Sequence, residues 1–295
     1  DRNADDRGKY FLGRGIRLSV QDISAFSSCL EEIFVASDGI SRIIGGLTNF
    51  DIRRSLQLSQ KIVTSPHIKI DELVRLYLSN GRLQISSRSI HNAILCGDSN
   101  HFSQNASHFV INQFEVQGDD LTSPLLDMRL LRFFMDIESQ GGDDVQASHA
   151  SVDDALGYFD SMSISKSTIK NHIQRLATSH VLATYNTSEI QITEDSRLRI
   201  TPSGKIHYEW ALNNQTYLTE TALTTPLRSC QTKDELLTSW STLGKKNRSD
   251  WDNLVRQFAK YCLEQDSIFV VMPSAISYSS QKAMRDQFRN KWAIQ

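Results

Sequence analysis

The sequence predicts a mainly α-helical fold, and three observations support that prediction. Apolar residues recur at helical spacing in several stretches, as at Ile169, Ile173 and Leu176, which fall at i, i+4 and i+7. Residues that commonly begin helices stand just before such stretches, as Ser165 does here. Segments with the character of strands are few and short. We expect three domains, at residues 1–118, 119–214 and 215–295.

The first domain is predicted to consist of amphipathic helices. Residues 23–34 carry apolar side chains at helical spacing. Gly45 and Gly46 are expected to break one helix, and Asn49 or Asp51 can cap the next one. That next helix is expected to bury Ile52, Leu56, Leu58 and Ile62.

A short pattern in this domain, Gly45-Gly46 followed by Asn49-Phe-Asp-Ile-Arg53-Arg54, resembles the helical lid of AAA+ and related P-loop ATPases. The resemblance implies that Arg53, or failing it Arg54, is the sensor arginine that touches the γ-phosphate of a nucleotide. It also implies ATP and Mg²⁺ as cofactors of a full-length protein whose P-loop domain lies outside this chain. The alternative is that both arginines lie on the solvated face of an amphipathic helix.

One stretch, residues 91–108, concentrates histidine and cysteine. Its spacings do not provide the closely paired ligands that zinc sites use at each end. We therefore expect a polar loop and no metal site there. The cysteines of the chain are far apart, which predicts buried thiols of a reduced, intracellular protein. They are Cys29, Cys96, Cys230 and Cys262.

The second domain is organised around the helix that begins after Ser165. A shorter amphipathic helix precedes it, and Ser151 and Asp154 form a capping-box pair at the start of that shorter helix. The remaining predicted elements are strands at residues 181–185 and 198–201 with a polar tip at 186–189 between them, and a closing helix that ends near Leu212.

This order of helices, two-stranded wing and closing helix resembles the winged helix-turn-helix superfamily over residues 125–212. The phrases at residues 165–176 and 198–205 are similar to the recognition helix and the segment after the wing in that superfamily. The open face of the recognition helix offers small, amide and cationic side chains, which suit phosphates and base edges. The candidate DNA-binding residues are Lys166, Ser167, Lys170, Asn171, Gln174, Arg197 and Arg199.

The third domain shows no resemblance to a known family and is predicted to be helical. A helix is expected over residues 233–243, and Ser249 is expected to cap another whose apolar stripe starts at Trp251. Residues 268–272 are expected to form a strand or a buried turn, and residues 280–292 a last, basic helix.

Composition limits the classes of function. Lys and Arg total 32 against 34 for Asp and Glu, so the chain has no net field that attracts nucleic acid. The predicted winged helix is itself acidic, so any DNA affinity depends on a local basic face. No apolar run has membrane-spanning length and no signal peptide opens the chain, which predicts a cytoplasmic protein without membrane contact. Because residue 1 is Asp and not Met, we expect the chain to be part of a longer polypeptide.

The sequence contains no recognisable catalytic motif, so no catalytic residue is predicted. It lacks the phosphate-cradling Gly-x-x-x-x-Gly-Lys-Ser/Thr loop, the Gly-x-Ser-x-Gly elbow and the His-Glu-x-x-His metal motif. The leading hypothesis is the regulatory and DNA- or partner-binding part of a P-loop ATPase, with the P-loop domain and a second copy of the chain as partners. The alternatives are a stand-alone transcription regulator and a winged helix used only for docking on another protein.

Overall fold

The chain is mainly α-helical, as the sequence predicts: the residues that the computed structural model describes form thirteen α-helices and five short strands. They belong to two compact units, Asp1–Ser103 and Gln104–Gln295, which are described separately below. The described residues are 10–12, 16–18, 20–35, 38–80, 85–105, 107–116, 121–142, 144–186, 191–241 and 248–292.

The first unit contains a short antiparallel hairpin and five helices. Its elements are β1 (Tyr10–Leu12), β2 (Ile16–Leu18), α1 (Val20–Phe34), α2 (Asp38–Leu47), α3 (Ile52–Thr64), α4 (Ile70–Asn80) and α5 (Ser87–Cys96). Helix α1 packs against α4, and α3 packs against α5. Ile33, Val74 and Ile94 are among the buried side chains of this unit. The two strands were not predicted from the sequence.

The predicted helix break at Gly45 and Gly46 is wrong. Both glycines lie inside α2, which continues to Leu47. Two residues with positive φ follow the helix, Asn49 with a φ of 53° and Phe50 with a φ of 60°. The Phe50 N–H donates to the Gly45 carbonyl at 2.8 Å, the long-range hydrogen bond of a Schellman-type helix end. A Cβ on Gly45 would lie 2.9 Å from the Phe50 ring, so the absence of a side chain at Gly45 leaves room for that ring.

Helix α3 begins as predicted but buries only part of the predicted set. Asp51 caps it by accepting a hydrogen bond from the Arg54 N–H at 2.8 Å. Leu58 and Ile62 are buried, whereas Ile52 is 78% and Leu56 67% exposed, so the prediction for these two is wrong. The reason is angular: at about 3.6 residues per turn, Leu56 and Leu58 point about 200° apart and cannot share one face.

The second unit opens with a three-stranded antiparallel sheet among four helices. The elements are α6 (Leu126–Gly141), β3 (Ala150–Ser151), α7 (Val152–Asp160), α8 (Lys166–Thr178), β4 (Leu182–Thr184), β5 (Arg197–Ile200) and α9 (Pro202–Asn213). Strand β5 lies between the other two, with Leu198 opposite Ala150 and Ile200 opposite Leu182. Strand β3 was not predicted from the sequence.

The predicted register of α8 and the predicted start of α7 are confirmed. The three residues of the apolar stripe, Ile169, Ile173 and Leu176, are fully buried. Ser151 and Asp154 form the predicted capping box at the start of α7, with each side chain bonded to the backbone of the other residue.

Four further helices complete the second unit. They are α10 (Gln215–Thr224), α11 (Cys230–Ser241), α12 (Arg248–Phe269) and α13 (Ser279–Lys291). Helices α10 and α11 pack against α12, while α13 packs against α6, α9 and α12. The domain boundaries predicted at 118/119 and 214/215 both fall inside this unit.

Two predicted details of these last helices are wrong. Helix α12 begins at Arg248, so Ser249 lies within its first turn and is not its cap. The same helix continues to Phe269, and Ile268 is 68% exposed, so this stretch does not begin the predicted strand or buried turn.

The cysteines follow the prediction at three of four positions. Cys29, Cys96 and Cys262 are buried free thiols, but Cys230 is exposed at the start of α11. His91 and Cys96 lie in α5 and not in the predicted polar loop. Within the described ranges no group of three or more His, Cys, Asp or Glu could hold a metal ion. In those same ranges no helix is both long and apolar enough to cross a membrane.

Candidate nucleic-acid interface

Helix α8 is held at its start by a tight turn after α7. The Ser165 hydroxyl accepts a hydrogen bond from the Thr168 N–H at 3.2 Å, as the sequence predicts for a helix cap. The Ile164 N–H donates to the Phe159 carbonyl at 3.2 Å, and Ser163 has a φ of 64°. These constraints fix the direction in which α8 leaves α7.

The inner face of α8 is anchored by a buried carboxylate on α6. Asp127 is fully buried and accepts from His172 Nδ1 at 2.6 Å and also from the Arg175 guanidinium. The same guanidinium contacts Glu115 at 3.2 Å. Because two side chains of α8 converge on one carboxylate, the rotation of the helix about its own axis is fixed.

The outer face of α8 carries all five candidate residues that the sequence assigned to this helix. Since they recur at three- and four-residue spacing, they lie on one side of the helix. Each of the five is exposed, and they are Lys166, Ser167, Lys170, Asn171 and Gln174. The structure therefore brings these predicted residues together on one open surface, which we call the α8 face.

One contact across the α8 face was not predicted. Lys170 forms an ion pair with Glu194, which lies in the segment before β5. The hydrogen bond from Lys170 is the largest cause that holds the pKa of Glu194 below its ordinary value, and the charges of Lys170 and Lys166 add to it. The two residues are 24 positions apart, and no short-range sequence pattern links such a pair.

A small groove runs beside this ion pair. Its volume is about 200 Å³, and it lies between α8 and residues 192–194. Val152 and Ile173 line it with apolar atoms, while Asn171 and Gln174 contribute amides. The groove is too small for a drug-sized molecule but adds depth to the α8 face.

The two arginines predicted for the wing, Arg197 and Arg199, are exposed. Arg197 donates to the backbone carbonyls of Gln146 at 2.8 Å and His149 at 2.9 Å, so it supports the segment before β3. Burial lowers the pKa of His149 most, and the charges of Arg199 and Arg197 lower it further. Residues 187–189 of the predicted polar tip lie outside the described residues.

Carboxylates offset the cations of this region. The cations are Lys166, Lys170, Arg197 and Arg199, and the exposed carboxylates nearby in the chain are Asp153, Asp154, Glu194 and Asp195. The Asp154 carboxylate already accepts a hydrogen bond in the capping box of α7. These four carboxylates equal the four cations in number, so attraction of an anion to the α8 face depends on short-range contacts with individual cations.

The two arginines predicted to sense nucleotide lie at the start of α3. Arg53 is exposed in the first turn, and no hydrogen bond or ion pair joins it to another described residue. Arg54 is partly buried, and its N–H is the donor to the Asp51 cap. Of the two, Arg53 has the side chain that is open to an anion.

Comparisons with known proteins return no family model, no curated protein and no solved structure that matches the chain.

Proposed function

We propose that the region from α6 to α9 is a winged helix module that contacts DNA through the α8 face. The observation that most supports this is the order of elements: a helix, a strand, two helices and two strands, with β5 between β3 and β4. In such a module the second helix of the helix-turn-helix presents its outer residues to the major groove. Here that helix is α8, and its outer residues are exposed and polar.

The side chains of the α8 face divide into two chemical roles. Lys166 and Lys170 are suited to phosphate oxygens, which supply affinity without sequence information. Asn171 and Gln174 carry amides that can donate to and accept from one adenine edge at once. Ser167 is small, so a duplex can approach the helix closely at that position.

The proposal is tested by binding of the whole chain to a fluorescein-labelled duplex of mixed sequence, followed by anisotropy at low salt. Lys170→Gln removes one cation of the α8 face and should weaken binding. The matched control is Lys260→Gln, because Lys260 also forms an exposed ion pair, with Glu264 on α12. If the unaltered chain binds no duplex at about 50 mM salt, where phosphate contacts are strongest, DNA contact is excluded and the α8 face is left as a docking surface for protein.

A second candidate function rests on Arg53. We propose that the first unit serves as the lid of a P-loop ATPase, in which Arg53 contacts a nucleotide phosphate bound by another domain. The exposed guanidinium of Arg53, without a carboxylate partner among the described residues, supports this role. A guanidinium binds phosphate through two parallel hydrogen bonds, which explains why an arginine suits the position.

The experiment is ATP hydrolysis by the polypeptide that contains both the P-loop domain and this chain. Arg53→Ala should reduce hydrolysis while the thermal unfolding transition stays unchanged. The matched control is Arg75→Ala, which removes another exposed arginine of the same unit, on α4. Equal hydrolysis by the Arg53 variant and the unaltered protein would remove this proposal.

A further inference from the structure

We propose that Glu194 is a further residue of the DNA-contacting surface and that it lowers affinity by competing with DNA phosphate for Lys170. This inference rests on the proposed DNA contact of the α8 face. It adds an anionic residue to a site for which the sequence predicts only cationic and neutral residues. The contact that carries it is the ion pair between the two side chains.

The ion pair is open to competition. The side chain of Lys170 is 46% exposed and that of Glu194 is 55% exposed. Water therefore reaches both groups, and pairs of this kind contribute little to stability. A phosphate that arrives at the α8 face can displace the carboxylate from Lys170 without disturbing the buried core.

The backbone at Glu194 is held in place, so the carboxylate stays within side-chain reach of Lys170. The Glu194 carbonyl accepts from the Asp153 N–H at 3.0 Å, and the Ser196 carbonyl accepts from the Val152 N–H at 3.0 Å. The Ser196 hydroxyl also accepts from the Thr193 N–H at 2.8 Å. The first two bonds tie the segment to the start of α7 at Glu194 and at Ser196, and the third closes a turn within the segment.

Two consequences follow for DNA. When a DNA phosphate pairs with Lys170, the Glu194 carboxylate loses its hydrogen bond from Lys170 and stays close to the negative charge of that phosphate. The positive charge of Lys166 also acts on Glu194, so the carboxylate and the duplex then compete for the attraction of Lys166. Both effects oppose binding, and both act on phosphate and not on bases, so they should reduce affinity for all sequences alike.

The test is anisotropy with a fluorescein-labelled duplex of mixed sequence, using the whole chain with Glu194→Gln, which keeps the size of the side chain. Affinity should rise about two- to fivefold at about 50 mM salt, the range expected for releasing one exposed pair, and the gain should shrink at about 200 mM. Asp195→Asn removes a neighbouring exposed charge and should change affinity less. In a Lys170→Gln background, the gain from Glu194→Gln should be smaller, because only the effect that acts through Lys166 remains.

The outcomes separate this inference from the proposed function. If the unaltered chain binds duplex and Glu194→Gln binds no better than Asp195→Asn, competition is wrong while DNA contact stands. If neither the unaltered chain nor Glu194→Gln binds duplex, the proposed function fails and the inference fails with it. Unchanged thermal unfolding of each variant shows that the comparison is between folded proteins.

Discussion

Arg129 and Asp266 form a buried ion pair that joins α6 to α12, with Nε 2.9 Å from Oδ1 and Nη2 2.5 Å from Oδ2. The arginine side chain is fully buried and the aspartate side chain is 1% exposed. The carboxylate also accepts from the Ser123 hydroxyl at 2.7 Å and from Arg285 Nε at 3.0 Å. Because these donors surround it, the buried negative charge is compensated. This contact ties the proposed winged helix to the C-terminal helices.

Loss of the Asp266 carboxylate should strongly destabilise the second unit. Asp266→Ala leaves the Arg129 guanidinium buried without a counter-charge, and the free energy of unfolding should fall by about 3–5 kcal/mol. Urea unfolding followed by tryptophan fluorescence measures it, because the four tryptophans of the chain all lie in the second unit. Asp286→Ala is the control: its pair with Arg289 is about half exposed, so the change should stay below about 1 kcal/mol. Equal effects of the two substitutions would contradict the importance of the buried pair.

Truncation of Ile173 tests the packing of α8. The side chain is fully buried, so Ile173→Ala should lower the free energy of unfolding by about 2–5 kcal/mol through lost burial and a residual cavity. The measurement is the same urea titration. Ile268→Ala, at a side chain that is 68% exposed, is the control and should change stability by less than about 0.5 kcal/mol. A small loss for Ile173 would mean that the core closes around the missing atoms.

Local signals in the sequence were sufficient to predict α8. Its cap, Ser165, and its apolar stripe both depend on residues within a turn or two of each other, and the structure agrees with them. The same kind of signal failed at Gly45 and Gly46, because glycine lowers helix propensity without forbidding a helix whose other residues pack well. Tertiary packing determines that α2 continues through these two glycines, and a local sequence pattern carries no information about tertiary packing.

The contacts that orient α8 could not be predicted in this way. Asp127 lies 45 residues from His172 and 48 from Arg175, so no short pattern joins them. One local signal was present: Asp127 interrupts the apolar run Leu125-Leu126-Asp127-Met128, and a carboxylate among buried neighbours usually has a partner. That signal indicates a buried pair but does not say which residues complete it. Glu194 gave no comparable signal.

Acid should destabilise the second unit partly through His207. Burial lowers the pKa of this histidine from 6.5 to about 4. Its Nδ1 donates to the Ser203 carbonyl at 2.7 Å and its Nε2 accepts from the Ile111 N–H at 3.1 Å, which requires a neutral ring. Between these two pKa values the unfolded ring takes up a proton and the folded ring does not. Stability should therefore fall as pH falls through this window, by about 1.4 kcal/mol per pH unit from this group.

The measurement is the free energy of unfolding against pH for the unaltered chain and for His207→Gln. Glutamine removes the titrating group while keeping a donor and an acceptor, so the slope between pH 6.5 and about 4 should become shallower. An identical slope in the unaltered chain and the His207 variant would show that this ring does not contribute to acid sensitivity.

Asn171 should affect which DNA sequences bind more than how tightly DNA binds. Its amide lies on the exposed side of α8, one residue after Lys170, and can contact an adenine edge through two hydrogen bonds. Asn171→Ala should therefore blur base preference, by about 1–3 kcal/mol at one position, in selection from a randomised duplex library. Lys170→Gln should weaken binding to all sequences alike, and Asn253→Ala, an exposed asparagine on α12, should change neither property. If Asn171→Ala retains the base preference of the unaltered chain, α8 does not read bases at this position.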